Sequence, residues 1–153
     1  MHWLELRIPP RLVAVAVGLG MWAASSLGPH FDLPQSHHWA TTLVGALGGA
    51  AITFAGAATL RGARTTLLPM RPHKTTSLVT TGIFRWTRNP MYVGLTVVLL
   101  GWAAFLSAAW SLLGPVLFVL YVNRFQIQPE ERVLTELFGA EYTNYARRVR
   151  RWL

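Results

Sequence analysis

From Asn89 to Asn123 no residue carries a charge. As one helix rising about 1.5 Å per residue, this run would reach roughly 50 Å, well beyond a bilayer core of about 30 Å. It must therefore fold back on itself as a helical hairpin. "FLSAAWS", residues 105–111, supplies one place to bend, and Gly114 with Pro115 supplies a second.

Two further stretches are free of charge, "LVAVAVGLGMWAASSLG" at 12–28 and "WATTLVGALGGAAITFAGAATL" at 39–60. Each approaches the roughly 20 residues that cross a bilayer as a helix. Of the 153 residues, 52% are hydrophobic and only 13% charged, against roughly 25% charged in a soluble domain. The expectation is an all-α, polytopic membrane protein forming a single domain over residues 1–153. Its transmembrane helices are expected at about 12–28, 39–60, 90–106 and 109–125.

The basic residues set the orientation. All 14 Lys and Arg fall into three blocks: Arg7 and Arg11; Arg61, Arg64, Arg71, Lys74, Arg85 and Arg88; and Arg124, Arg132, Arg147, Arg148, Arg150 and Arg151. Cytoplasmic flanks of membrane helices collect Lys and Arg, so four helices with both termini cytoplasmic put every block on one side. Three helices would strand one of the large blocks outside. The expected location is a bacterial inner membrane. The two leading arginines, the apolar run and "WAASS" also imitate a secretory signal. Cleavage there would set the remaining helices against the charge pattern, so the segment is read as the first helix.

Several function classes drop out. With no cysteine, disulfides and thiolate metal sites are excluded. His30, His37 and His38 lack acidic company beyond Asp32, so no metal is expected. The net charge of +8 flanks apolar runs instead of forming a basic face, so no nucleic-acid partner is expected. Apart from Arg124 at the very end of the last, the expected helices hold no acid or base, which weighs against the alternative of a small exporter, because transporters keep an ionisable group at mid-membrane. A non-enzymatic assembly factor would leave the long connector after residue 60 unexplained. Gly45 and Gly49, continued by Thr53 and Gly56, form a small-residue stripe for close helix packing. Packing within the bundle is the expected use, and a homodimer contact is the alternative.

Chemistry is thus expected on the cytoplasmic side, in residues 61–90 and 124–153. Asn89 suits an N-cap and Pro90 a first helical position. A helix starting there presents backbone N–H groups and a positive dipole end to an anionic ligand group. Glu130 and Glu131 read either as a dipole-compensating first turn or as carboxylates for a cationic group. His73 in "RPHK" has the titration range of a general base, although exposed loop histidines are common.

"TTSLVTTGIFRWTRNPMYVG", followed after the apolar hairpin by "QPEERVLTELFGAEYTNYARRVRRWL", resembles the C-terminal half of the isoprenylcysteine carboxyl methyltransferase and phospholipid methyltransferase superfamily. The resemblance covers roughly residues 65–153. It implies a membrane-embedded methyltransferase that takes S-adenosylmethionine and a lipophilic acceptor from the bilayer. The implied cofactor regions are about 65–92 and 126–153, with Thr76, Ser77, Leu78, Val79, Phe84, Asn89, Pro90, Met91, Tyr92, Glu130 and Glu131 as binding residues. Some relatives have His where this chain has Thr76 and Asn89, which excludes imidazole chemistry at those places. The isoprenylcysteine enzymes carry a substrate-facing arginine where this chain has Gln126, with Arg124 the nearest arginine. An amide lacks the charged fork of Arg, so an amine or thiol acceptor is favoured over a carboxyl.

Past Glu131 the sequence reads as an amphipathic helix or helix pair. Val133, Leu134, Leu137, Phe138, Tyr142, Tyr145, Val149 and Trp152 lie at near-helical spacing with a break at Gly139. The basic end at Arg147–Arg151 is expected to rest on anionic lipid while the segment caps the cofactor.

Overall fold

A computed structural model describes residues 5–31, 34–63 and 77–153. The protein is all-helical: α1 (Pro10–Ser25), α2 (Gln35–Gly62), α3 (Pro90–Leu106), α4 (Leu113–Val122), α5 (Gln128–Phe138) and α6 (Ala140–Arg148). Short 3-10 turns at Gly82–Arg85 and Ala109–Leu112 precede α3 and α4, and a π-helical segment, Asn123–Ile127, joins α4 to α5. No strand is present among the described residues, and His30 and Ala108 form an isolated bridge.

Among the described residues one helix, Ser36–Gly62, is long and apolar enough by itself to cross a membrane; α1 and α3 are apolar but shorter. The outward faces are apolar. Leu19 and Trp22 on α1, Val44 and Phe54 on α2, and Leu117 and Leu120 on α4 are all exposed. So continuous an apolar exterior suits lipid and not water.

Helices α2 and α3 meet backbone to backbone. A Cβ on Gly45 would lie 2.6 Å from Gly101 Cα, and one on Gly49 would collide with the Gly94 carbonyl. Thr53 sits against Gly94 and turns its hydroxyl back to Gly49 O at 2.8 Å, so it adds no unpaired polar atom to the contact. The small-residue stripe of α2 therefore faces α3 of its own chain, and the surface considered for a homodimer is occupied there.

The uncharged run bends at its first candidate place. Ser107 adopts a left-handed conformation (φ 47°) and closes α3 with its N–H on Ala103 O. Gly114 and Pro115 instead lie in the first turn of α4, where a proline costs no hydrogen bond. Gly114 leaves room for Met21 of α1. The bend is tied to the α1–α2 connector by Phe31 N–H to Ser107 O (2.7 Å) and Ala109 N–H to Pro29 O (3.0 Å). Met21, Leu99, Ala103, Phe118, Val122, Ile127 and Tyr92 form the core, with Trp152 packed against it.

Candidate cofactor site

The site is built where the first turns of α3 and α5 approach each other. Gly82 takes a positive φ of 58°, and the 3-10 turn after it buries Phe84. Tyr145 of α6 donates its hydroxyl to Phe84 O at 2.7 Å, fixing the turn against the C-terminal helices. Burial raises the pKa of that phenol, so it stays a neutral donor. Val79 is buried and Ser77 and Leu78 are half-buried; Ser77 Oγ donates to Ala63 O at 3.4 Å.

Asn89 occupies the N-cap position of α3, but its side chain does not cap the helix. Its backbone N–H goes to Thr87 Oγ1 at 3.1 Å, and its Nδ2 donates to Arg151 O at 2.9 Å. The start of α3 thus keeps its dipole without a side-chain acceptor over it. Pro90 and Tyr92 are buried and Met91 is half-buried.

Tyr92 donates its hydroxyl to Glu130 Oε1 at 2.7 Å. Among the described residues no cation pairs with Glu130. Loss of hydration pushes its pKa up to about 8; the Tyr92 hydrogen bond opposes that rise and the neighbouring Glu131 charge adds to it. Near neutral pH this carboxyl is held largely protonated, and a cationic group placed beside it would favour the ionised form.

Glu131, one residue on, has the opposite surroundings. Arg88 Nη1 lies 2.9 Å from its Oε1, and Arg151 places Nε at 3.0 Å and Nη2 at 2.6 Å on its two oxygens. Arg151 also donates to Asn123 Oδ1 at 3.2 Å, and Arg88 to Tyr142 Oη at 3.1 Å.

Gln126, in the π segment, is fully buried. Its Nε2 donates to Ile8 O at 2.9 Å, and its Oε1 has no partner among the described residues. Arg124 pairs with Glu5 at 2.8 Å, and Arg132 joins the same carboxylate. Thr76 and His73 lie outside the described residues.

Of the residues expected from the sequence, Tyr92 and Glu130 meet directly, while Phe84 and Asn89 are each tied to the C-terminal segment, through Tyr145 and Arg151. Two that it missed are Arg88 and Arg151, which read there as ordinary positive flanks. Arg151, expected on lipid, turns inward because Glu131 offers a charged partner that the membrane surface would have to match. The pairing spans 20 positions, beyond any local pattern. The Arg88–Glu131 pair falls between the two motif blocks, and their joint presence was its only sequence signal.

Residues 37–141 match the model of the phospholipid methyltransferase family. An uncharacterized protein of Haemophilus influenzae is 44% identical over 63 residues, covering 41% of this chain and all of that protein. The protein-S-isoprenylcysteine O-methyltransferase of Saccharomyces cerevisiae is 36% identical over 75 residues, 47% of this chain and 30% of that enzyme. No solved structure matches. The family match runs from the start of α2 through α3 and both glutamates to the start of α6, and the chain belongs to the phospholipid methyltransferase family.

Proposed function

We propose that the protein is an integral membrane methyltransferase that uses S-adenosylmethionine to methylate a lipophilic amine or thiol. The observation that carries the reading is Glu130, a carboxyl bonded to a neutral phenol beside a helix start that no side chain caps. Membership of the family supports it.

The residues fit the cofactor's groups. Glu130 suits the α-ammonium, the positive dipole end at the start of α3 suits the α-carboxylate, and Val79 and Phe84 offer an apolar wall for the adenine. When bound, the cofactor supplies a methyl carbon on a sulfonium, open to in-line attack by an acceptor lone pair. The work of the chain is to orient and to exclude water, and holding two reactants in line can supply several kcal/mol of barrier reduction. No covalent intermediate on the protein is required.

The acceptor class follows from the charges. Arg88 and Arg151 face Glu131, Arg124 faces Glu5, and position 126 is a neutral amide held by a backbone carbonyl. Arg88, Arg124 and Arg151 are thus each matched by a carboxylate, which favours an acceptor without a free carboxylate of its own. The yeast relative's name specifies O-methylation; this chain is proposed to differ in that respect.

On this reading α1, α2 and the hairpin of α3 with α4 cross a bacterial inner membrane, both termini lie in the cytoplasm, and the acceptor enters from the lipid. Calorimetric titration of detergent-purified protein with S-adenosylhomocysteine, the demethylated cofactor, is the test. Saturable heat with thermal stabilisation is expected. Folded protein that gives neither at millimolar ligand contradicts the reading.

A further inference from the structure

The last residues of the chain fold back over the start of α3. The carbonyl of Arg150 accepts from the Arg88 N–H at 3.0 Å. That of Arg151 accepts from Asn89 Nδ2 at 2.9 Å and Thr87 Oγ1 at 3.3 Å. The Arg151 guanidinium then reaches two more elements, the π segment at Asn123 and α5 at Glu131. One residue thereby ties together the three pieces of backbone that carry Asn89, Gln126 and Glu130. It lies beyond residue 141, where the family match ends.

Consecutive residues on a helix point about 100° apart, so adjacent glutamates cannot share one partner without distortion. They do share a field. Two close carboxylates oppose each other's ionisation, and an unmatched Glu131 would both compete for a cationic ligand and keep its neighbour protonated. Arg88 and Arg151 temper both effects without abolishing the second, since the Glu131 charge still raises the pKa of Glu130, and Arg151 does so with a two-toothed grip that fixes the direction of the carboxylate.

We propose that Arg151 is a positioning residue of the site: its fork holds Glu131 away from the ligand and so reserves Glu130 for a cationic ligand group. The inference rests on reading Glu130 as the ammonium contact. The groups that set the charge of Glu130 are Tyr92 from α3 and Glu131 from α5 itself. Arg88, Arg151 and Tyr142 act through Glu131, while Arg124 and Arg132 are engaged by Glu5.

The test needs no ligand. In full-length protein in detergent, the infrared carboxyl band of Glu130, assigned by its loss in Glu130→Gln, is titrated with pH. Arg151→Gln is expected to move the midpoint upward by about one unit, the size of a nearby-charge effect at short range. Arg151→Lys keeps the charge and loses the fork, so a smaller upward shift is expected. Adding Glu131→Gln to Arg151→Gln should return the midpoint to the parent value or below. A strap with a merely structural role would lower the melting temperature of these variants and leave the midpoint in place, which overturns the proposal. Should Arg151→Gln not fold, an unmoved midpoint in Arg151→Lys overturns it equally. Failure here leaves the cofactor reading standing, since that reading falls only if the parent protein binds no cofactor.

Discussion

The hydroxyl of Tyr92 donates to Glu130 at 2.7 Å, joining the first turn of α3 to the first turn of α5. Two sequence blocks separated by the whole α3–α4 hairpin meet through this bond, beside the Arg88–Glu131 pair. It places a carboxyl at the positive end of a helix, where a zwitterionic group can meet a match for each of its charges.

The two glutamates are expected to behave differently when neutralised. Glu130→Gln should weaken S-adenosylhomocysteine binding at least tenfold with little change in melting temperature, since the loss of a charge-assisted contact is worth roughly 1.5–3 kcal/mol. Glu131→Gln should mainly destabilise, because it leaves Arg88 and Arg151 without their carboxylate. Calorimetry and thermal melts on the same preparations separate the outcomes, and equal binding by the Glu130 variant and the parent would reduce Glu130 to a helix-start residue.

The pH dependence follows from the raised pKa of Glu130. Its folded value of about 8 exceeds the ordinary 4.5, so its contribution to stability is complete below the ordinary value and is lost as pH rises through about 8. The melting temperature of ligand-free protein should therefore fall across that window, and the fall should shrink in Glu130→Gln. A cationic ligand group selects the ionised carboxylate, so binding should tighten toward the same pH and release a proton. Calorimetry in two buffers of different ionisation heat measures that release. Tyr92→Phe removes the hydrogen bond that opposes the rise and should push the window higher.

Close packing of α2 on α3 makes the small-residue stripe sensitive to single methyl groups. Gly45→Ala and Gly49→Ala would each meet α3 backbone, and should cost about 1–3 kcal/mol as overpacking does. Gly20→Ala, where a Cβ meets nothing within 4 Å, is the matched control. Unfolding in mixed micelles compares them, and equal stability of all three variants would contradict the packing.

The composition and charge blocks were enough to read an all-helical chain, and the uncharged run from 89 to 123 was enough to require a bend. Both are properties of the sequence itself, because lipid solvates apolar surface and a helix has a fixed rise. Asn89 was legible as an N-cap by position, yet the acceptor its side chain serves is Arg151 O, 62 positions away. The π segment at Asn123–Ile127 was not legible, because one extra residue in a helical turn leaves no mark on composition. Nor could sequence separate Glu130 from Glu131, since the direction each faces depends on which arginines and which tyrosine arrive from elsewhere.

Topology can be tested in this cysteine-free chain with one cysteine at a time. Ser36→Cys and Glu141→Cys, both at exposed positions, should react with an impermeant maleimide from opposite sides of sealed membranes, with Ser36 external. Labelling from the same side would contradict the proposed crossing pattern and separate the site from cytosolic cofactor.

Methyl transfer itself tests the central claim most directly. Purified protein is incubated with lipid extract or membranes and S-adenosylmethionine labelled in its methyl group, and the label is followed into organic solvent before and after mild base. The account predicts enzyme-dependent label in an extractable product that survives base, as an N-methyl or S-methyl group does, and loss of that label in Glu130→Gln. Release of the label as methanol would contradict the amine or thiol assignment and mark a carboxyl acceptor. No transfer to any extractable product by folded, cofactor-binding protein would contradict the lipophilic methyltransferase reading as a whole.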